Sequence, residues 1–374
     1  MTKEYGTPAD DWAVQTVETL LKREPEVNLK GKWEYEDGLM LDGVMDVYER
    51  THNSSYLDYI KHYFDTYINE NGDVKGYDTS LFRLDDINNG KVLLRLYKLT
   101  KDEKYKKVLD RQFQQLKNQP RTSSNLFWHK KSYPNQVWLD GVYMADVFYA
   151  EYLESFQDDP IYDDVIHQFL KSYDISLDED TSLCYHAVDE SKNMYWANKT
   201  NGHSPHFWLR SIGWYVMAMT DVIEHLPKNS TGRKQILQNL NNLLTALRKI
   251  ADPATNLWYQ IPDEGSRPMN YLESSGSLMI LNAIAKSLRM GYLTSDNWQQ
   301  FLIKGWENAL KQFISITNEG YVNVNKIAHV GGLGGPNHRD GSFAYYMSEP
   351  IVSNDHKGTG PFIMLANEMY HYYK

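Results

Sequence analysis

The segment 127–143, FWHKKSYPNQVWLDGVY, crowds Trp128, His129, Tyr133, Gln136, Trp138 and Asp140 into one short stretch. Asp140 stands between an indole and an apolar run. A carboxyl group held against apolar walls is penalised in its charged form, so its pKa rises. Such a group can give a proton near neutral pH, which is general-acid chemistry. Other polar residues stand immediately before a recurring glycine: Asp37, Asp85 with Asp86, Arg210, Glu273, and Asp355 with His356. If the helices that follow run parallel, carboxylates, an arginine and a histidine meet at one end of the fold. Helix N-termini gathered there favour an anionic ligand. For any one of these aspartates, capping a helix is the simpler explanation. The set, with Trp and His beside it, points to a site.

The elements that must hold these residues are repeated. A glycine followed by a long apolar, helix-forming stretch occurs six times, at Gly38, Gly90, Gly141, Gly213, Gly276 and Gly360. These stretches are apolar nearly all round, which marks buried helices. Amphipathic segments alternate with them, starting near residues 9, 55, 103, 160, 232 and 295. The last is the clearest: Trp298, Phe301, Leu302, Trp306, Ala309, Leu310 and Phe313 share one face at helical spacing, with Ser295 as its N-cap. A second repeat lies in the connections, where TSLCYHAVDE (181–190), TNLWYQIPDE (255–264) and, more weakly, SNLFWHK (124–130) align. Hairpins that bury their faces only by stacking on neighbours form solenoids or close into rings. Six of them with an apolar inner set predict an all-α (α/α)6 barrel, a six-hairpin toroid, in one domain over residues 1–374. The longest irregular region, 318–358, is a candidate functional loop.

Composition narrows the function classes. The net charge of −10 argues against nucleic-acid binding, while leaving room for a small anion at a locally basic site. The 28 Tyr, 12 Phe and 10 Trp suit sugar rings, since Trp and Tyr join a flat apolar face to a polar edge; large helical packings use them too. A lone Cys184 excludes an intramolecular disulfide framework and a Cys-rich zinc site. No apolar run has membrane-span length and residues 1–12 hold no signal-like core, so no membrane partner and a cytoplasmic location are expected. His203-Ser-Pro-His206 is too slight for a metal site, VGGLGG lacks the Lys-Ser/Thr of a phosphate loop, and neither metal nor cofactor is expected.

Across most of the chain the sequence resembles the unsaturated rhamnogalacturonyl hydrolases of glycoside hydrolase family 105, with kinship to the unsaturated glucuronyl hydrolases of family 88. The blocks that carry the likeness are RLDDINNG (83–90), FWHKKSYPNQVWLDGVYM (127–144), YHAVDE (185–190), WANKTNGHSPHFWLRSIGWYVM (196–217), LWYQI (257–261), YLESSGS (271–277) and SEPIVSNDHKGTGPF (348–362). The resemblance implies an (α/α)6 barrel that acts on lyase products ending in a 4,5-unsaturated uronic acid. It implies hydration of the C4=C5 enol ether: an acid protonates C4, water adds at C5, and the hemiketal opens and expels the partner sugar. By matching position, Asp140 is the expected general acid/base and Asp85 the second active-site carboxylate. His186, Arg210 and Trp214 are expected to line the unsaturated-sugar subsite, with Trp138 and Trp214 offering stacking faces. Tyr35 and His129 complete the expected substrate-binding set. The expected partner is a small oligosaccharide, with rhamnose the first choice of released sugar and other lyase products as alternatives. The loop 325–345, with His338, Arg339 and Asp340, departs from the pattern and is placed to cover the subsite beyond the scissile bond. A sugar epimerase using paired histidines and a non-catalytic sugar-binding protein are the competing classes.

Overall fold

The computed structural model describes residues 6–26, 31–294 and 296–374; Ser295, the expected N-cap, lies outside them. Each amphipathic stretch forms an outer helix and each glycine-led stretch an inner one. The alternation starts with α1 (Trp12–Arg23), α2 (Tyr35–Thr51), α3 (Ser54–Tyr67), α4 (Asn89–Thr100) and α5 (Glu103–Lys117). The third inner helix is interrupted. Strand β1 (Gln136–Trp138) leads into a single turn, α6 (Leu139–Gly141), then a π turn over Val142–Asp146, then α7 (Val147–Phe156). After α8 (Asp163–Ser176) comes β2 (Ala187–Asp189), which pairs antiparallel with β1, Trp138 opposite Ala187. Then follow α9 (Leu209–His225), α10 (Thr231–Ile250), α11 (Ser274–Arg289) and α12 (Asp296–Phe313). Strands β3 (Ile314–Ile316), β4 (Val322–Val324) and β5 (Ile327–Ala328), the short α13 (Phe343–Ser348) and β6 (Ile351–Val352) lead to α14 (His356–Tyr373).

Among the inner helices α2, α4, α7, α9, α11 and α14, each packs on the next, and α14 returns to pack on α2. That closes the ring and excludes an open solenoid. The outer helices lean on it: α1 on α14, α3 on α2, α5 on α4, α10 on α9 and α12 on α11. One apolar cluster runs through both layers. The fold is the all-α toroid. The repeated connections share a physical cause. Asn125, Ser182 and Asn256 take φ of 63°, 61° and 57° at the same column of the repeat. Asp178 and Asp252 brace the two strong copies by accepting from the N–H of Thr181 and Thr255.

The recurring glycines are where inner helices touch. A Cβ on Gly276 would lie 2.5 Å from Cγ and 2.9 Å from the carbonyl carbon of Leu209, and one on Gly38 would lie 2.9 Å from Cα of Asn89. Gly276→Ala therefore presses α11 against the backbone of α9 beside Arg210. The expected cost is about 1–3 kcal/mol, the usual range for overpacking, read as a lower urea midpoint at constant slope. An unchanged midpoint would contradict the close crossing.

Candidate active site

The N-terminal ends of the inner helices meet at one mouth of the ring, around a cavity of about 160 Å3. Tyr35, Asp85, His129, Trp138, Asp140 and Arg210 all line it. Asp140 is placed by the β1–β2 pairing and by Leu139, whose N–H donates to the His186 carbonyl at 3.3 Å. The π turn behind it adds a residue to the turn and re-aims the side chains that follow, a device often found at functional sites. Asp85 sits in a 3-10 turn, Leu84–Ile87, held by the Leu84 N–H donating to the His129 carbonyl at 3.0 Å.

Two expected lining residues stand behind the wall. Trp214 is 1% exposed, packed against Tyr143 at 4.7 Å and Tyr35 at 6.2 Å between ring centroids, so it supports Tyr35 and offers no stacking face. His186 is fully buried. Its Nδ1 hydrogen-bonds the Tyr346 hydroxyl at 2.8 Å, and its Nε2 lies 3.6 Å from Oδ2 of Asp140. Trp138 does line the cavity, but it is only 6% exposed, with His129 stacked at 4.8 Å, Tyr133 at 5.4 Å and His186 against its edge. The polar residues before the glycines also divide. Glu273 caps α11 and Asp355 caps α14. Asp37 pairs with His356, which also reaches Glu24; against the effect of burial, these two carboxylates push the histidine up to about 10. Capping and pairing explain those three; Asp85, Asp140 and Arg210 are the ones that face the cavity.

Burial pushes the Asp140 carboxyl up to about 7, with the charge of Asp85 adding to it and its own backbone N–H and Arg210 opposing. Oδ2 of Asp140 is buried without a hydrogen-bond partner. His129 is pulled down to about 4 by burial, against the attraction of Asp85, whose Oδ1 is 3.5 Å from Nε2. His186 is held well below the usual histidine range by burial and by neighbouring positive groups. Near neutral pH the wall thus holds neutral imidazoles and a carboxylic acid that keeps its proton far longer than an exposed aspartate. Arg210, 2% exposed, lies over the Trp208 ring at 4.6 Å and donates to Ser275 Oγ and to the carbonyls of Ala328 and His329. Glu273 accepts from the Ala328 N–H at 3.0 Å. Together they clamp the start of the 325–345 loop to the ring.

That loop forms one side of the cavity. Val330, Gly331, Gly332 and Arg339 line it, alongside Lys130, Tyr133, Met144 and Trp208. A Cβ on Gly331 would fall 2.2 Å from the Trp208 ring, and Tyr345 donates its hydroxyl to the Gly332 carbonyl at 2.7 Å. Trp208 escaped sequence reasoning, although it lies two residues before Arg210 in the same block. A larger cavity, about 870 Å3, opens at the opposite mouth. Most of its charges are paired, Arg95 with Asp42, Asp46 and Glu49 and Lys286 with Asp221 and Glu224, while Lys91 rests on the Tyr143 ring and carbonyl. Among the described residues, no Trp, Tyr or Phe lines it. Size favours that cavity, but the unpartnered acid and the indoles favour the smaller one. Among the described residues, no group of three or more His, Cys, Asp or Glu side chains is arranged to hold a metal ion, and no helix is long and apolar enough to cross a membrane.

A family model described as Glycosyl Hydrolase Family 88 matches residues 9–373. A solved structure of a family 105 glycoside hydrolase from C. acetobutylicum superimposes with a TM-score of 0.94 at 46% identity, covering 97% of this chain and 100% of that one. Protein Atu3128 of Agrobacterium fabrum is 33% identical over 226 residues, 59% of this chain and 96% of its own. The unsaturated rhamnogalacturonyl hydrolase YesR of Bacillus subtilis is 26% identical over 285 residues, 74% of this chain and 77% of its own.

Proposed function

The chain belongs to Glycosyl Hydrolase Family 88, and on that premise we propose that this glycosidase releases a 4,5-unsaturated uronic acid from the non-reducing end of a short oligosaccharide. The name of the Bacillus subtilis relative supports an unsaturated galacturonate leaving rhamnose as the first substrate to try. The observation that carries the reading is a buried carboxylic acid that lines the cavity, is raised to about 7, and has one oxygen, on the His186 side, without a hydrogen-bond partner.

In this reading Asp140 gives its proton to C4 of the enol ether, and positive charge develops across C5 and the ring oxygen. Asp140, now a carboxylate, takes a proton from the water that adds to C5. The hemiketal opens by breaking the bond between C5 and the ring oxygen. That leaves a hemiacetal at C1, which expels the partner sugar with its glycosidic oxygen. Asp85, beside the neutral His129, orients sugar hydroxyls or the water. The forked donors of Arg210 suit the uronate. Carboxylate spacing does not decide between retention and inversion, because C1 is not attacked. An epimerase with paired histidines finds less support, since His186 has no exposed surface to offer a ligand.

The pH dependence follows from the sign of the shift. A raised pKa keeps the acid form below about 7 and loses it above. With saturating unsaturated disaccharide, kcat is expected to fall about tenfold per pH unit above that value. A profile flat from pH 6 to 9 would exclude Asp140 as the proton donor.

A further inference from the structure

Three cations line the cavity: Lys130, Arg210 and Arg339. None of them is within ion-pair distance of a carboxylate among the described residues, whereas Arg95, Lys286 and Lys357 are each paired; Lys91, buried without such a pair, is instead settled over the Tyr143 ring and on its carbonyl. Only Asp85 and Asp140 bring carboxyl groups to the wall. With Asp140 protonated, as a proton donor must be, three positive groups face one negative one. One uronate carboxylate leaves this field uncompensated.

The cations are also sorted in space. Arg210 is buried over Trp208, clamped by loop carbonyls. The other two converge on Tyr133. Lys130 Nζ lies 4.0 Å from the centre of its ring, and Arg339 Nη2 lies 3.4 Å from its hydroxyl. Arg339 Nε is anchored on the Gly334 carbonyl at 3.1 Å, which holds the guanidinium in the lining of the cavity. Two like charges gathered on one tyrosine, with no carboxylate between them, repel unless an anion arrives.

From this juxtaposition we propose that Arg339, assisted by Lys130, is a specificity-determining residue that binds a second oxyanion, a carboxylate or sulfate ester on the leaving sugar, so that the preferred substrate is a dianion. This inference rests on the proposed hydrolysis of unsaturated uronides and adds the chemistry of the partner sugar. Forked donors suit either oxyanion. The tyrosine hydroxyl fixes where it sits.

The test uses three disaccharides with the same unsaturated uronate and a leaving sugar that is neutral, sulfated or carboxylated, at one ionic strength. The wild type is expected to show kcat/KM at least about tenfold higher on one anionic partner, mostly through KM; tenfold corresponds to one charge-assisted contact. Which anionic partner gains identifies the oxyanion. Arg339→Gln should remove the preference, falling far more on the dianion than on the neutral substrate, and Arg339→Lys should restore part of it. An equal fall on all three would make Arg339 a loop anchor and overturn the proposal, as would a wild type that prefers the neutral partner. Calorimetric binding of the same disaccharides keeps this inference apart from the reaction class. Tighter binding of a dianion that Arg339→Gln abolishes supports it even if nothing is turned over. Equal binding of all three sinks it even if every one is hydrolysed.

Discussion

Asp140→Asn is expected to lower kcat by between about a hundred-fold and ten-thousand-fold, the range for removing a positioned acid, while the protein stays folded. The amide keeps the shape of the carboxyl but has no acidic proton to give. Two further readouts separate this from general damage. The alkaline limb set by Asp140 should vanish from whatever activity remains. Stability should also move in the opposite sense to activity. The folded-state pKa of Asp140 lies above its unfolded value. Its proton therefore stabilises the fold at low pH, and that contribution is lost as pH rises toward about 7. At pH 8 the wild type holds a buried carboxylate with little compensation, whereas the variant carries no charge. Asp140→Asn should accordingly be more stable than wild type at pH 8, by up to a few kcal/mol, and close to it near pH 4. Equal or lower stability at both pH values would contradict the burial that makes Asp140 an acid.

Arg210→Lys should cost kcat/KM about a hundred-fold or more. Hydrogen bonds to a charged group contribute about 1.5–3 kcal/mol each, and Arg210 donates to Ser275 Oγ and to the carbonyls of Ala328 and His329. A lysine cannot reproduce the fork or its seat on Trp208. The loss should appear in both kcat and KM, because the same guanidinium lines the cavity and holds the loop that walls it. Faster hydrogen exchange over 327–332 should accompany it. Near-wild-type kinetics in Arg210→Lys would leave the fork without a role.

The ring was legible in the sequence because two independent periodicities mark it. Outer helices carry an apolar stripe at helical spacing, and inner helices carry a glycine at each close crossing, as Gly276 shows against Leu209. The interruption in the third inner helix was not legible. The run from Val142 through Tyr152, apolar but for Asp146 and Glu151, reads the same whether it winds as an α or a π turn. Trp214 was expected in the lining from the family resemblance alone; the all-round apolarity of α9 carries no sign of which side faces the axis, and Trp214 stands behind Tyr35. Asp140 was legible because its apolar neighbours, Trp138 and the helix after it, are adjacent in the chain. Lys130, Trp208 and Arg339 depend on a glycine-rich loop with no periodicity, which returns to the ring through contacts between residues far apart in sequence, such as Tyr133 with Arg339 and Gly331 with Trp208. Glu273 and Asp355 do stand at helix starts, yet they serve as caps. Position before a glycine marks the mouth of the ring without saying which side chains face the cavity.

In the proposed mechanism, protonation of C4 by Asp140 starts the reaction. The most direct measurement is proton NMR of an unsaturated galacturonyl–rhamnose disaccharide turned over in deuterated water, sampled early. The expected result is one deuterium at C4 of the released keto-uronate, appearing together with free rhamnose, and neither product with Asp140→Asn. Release of rhamnose alongside a uronate that still carries its C4=C5 double bond would mean direct displacement at C1, and would contradict the role assigned to Asp140.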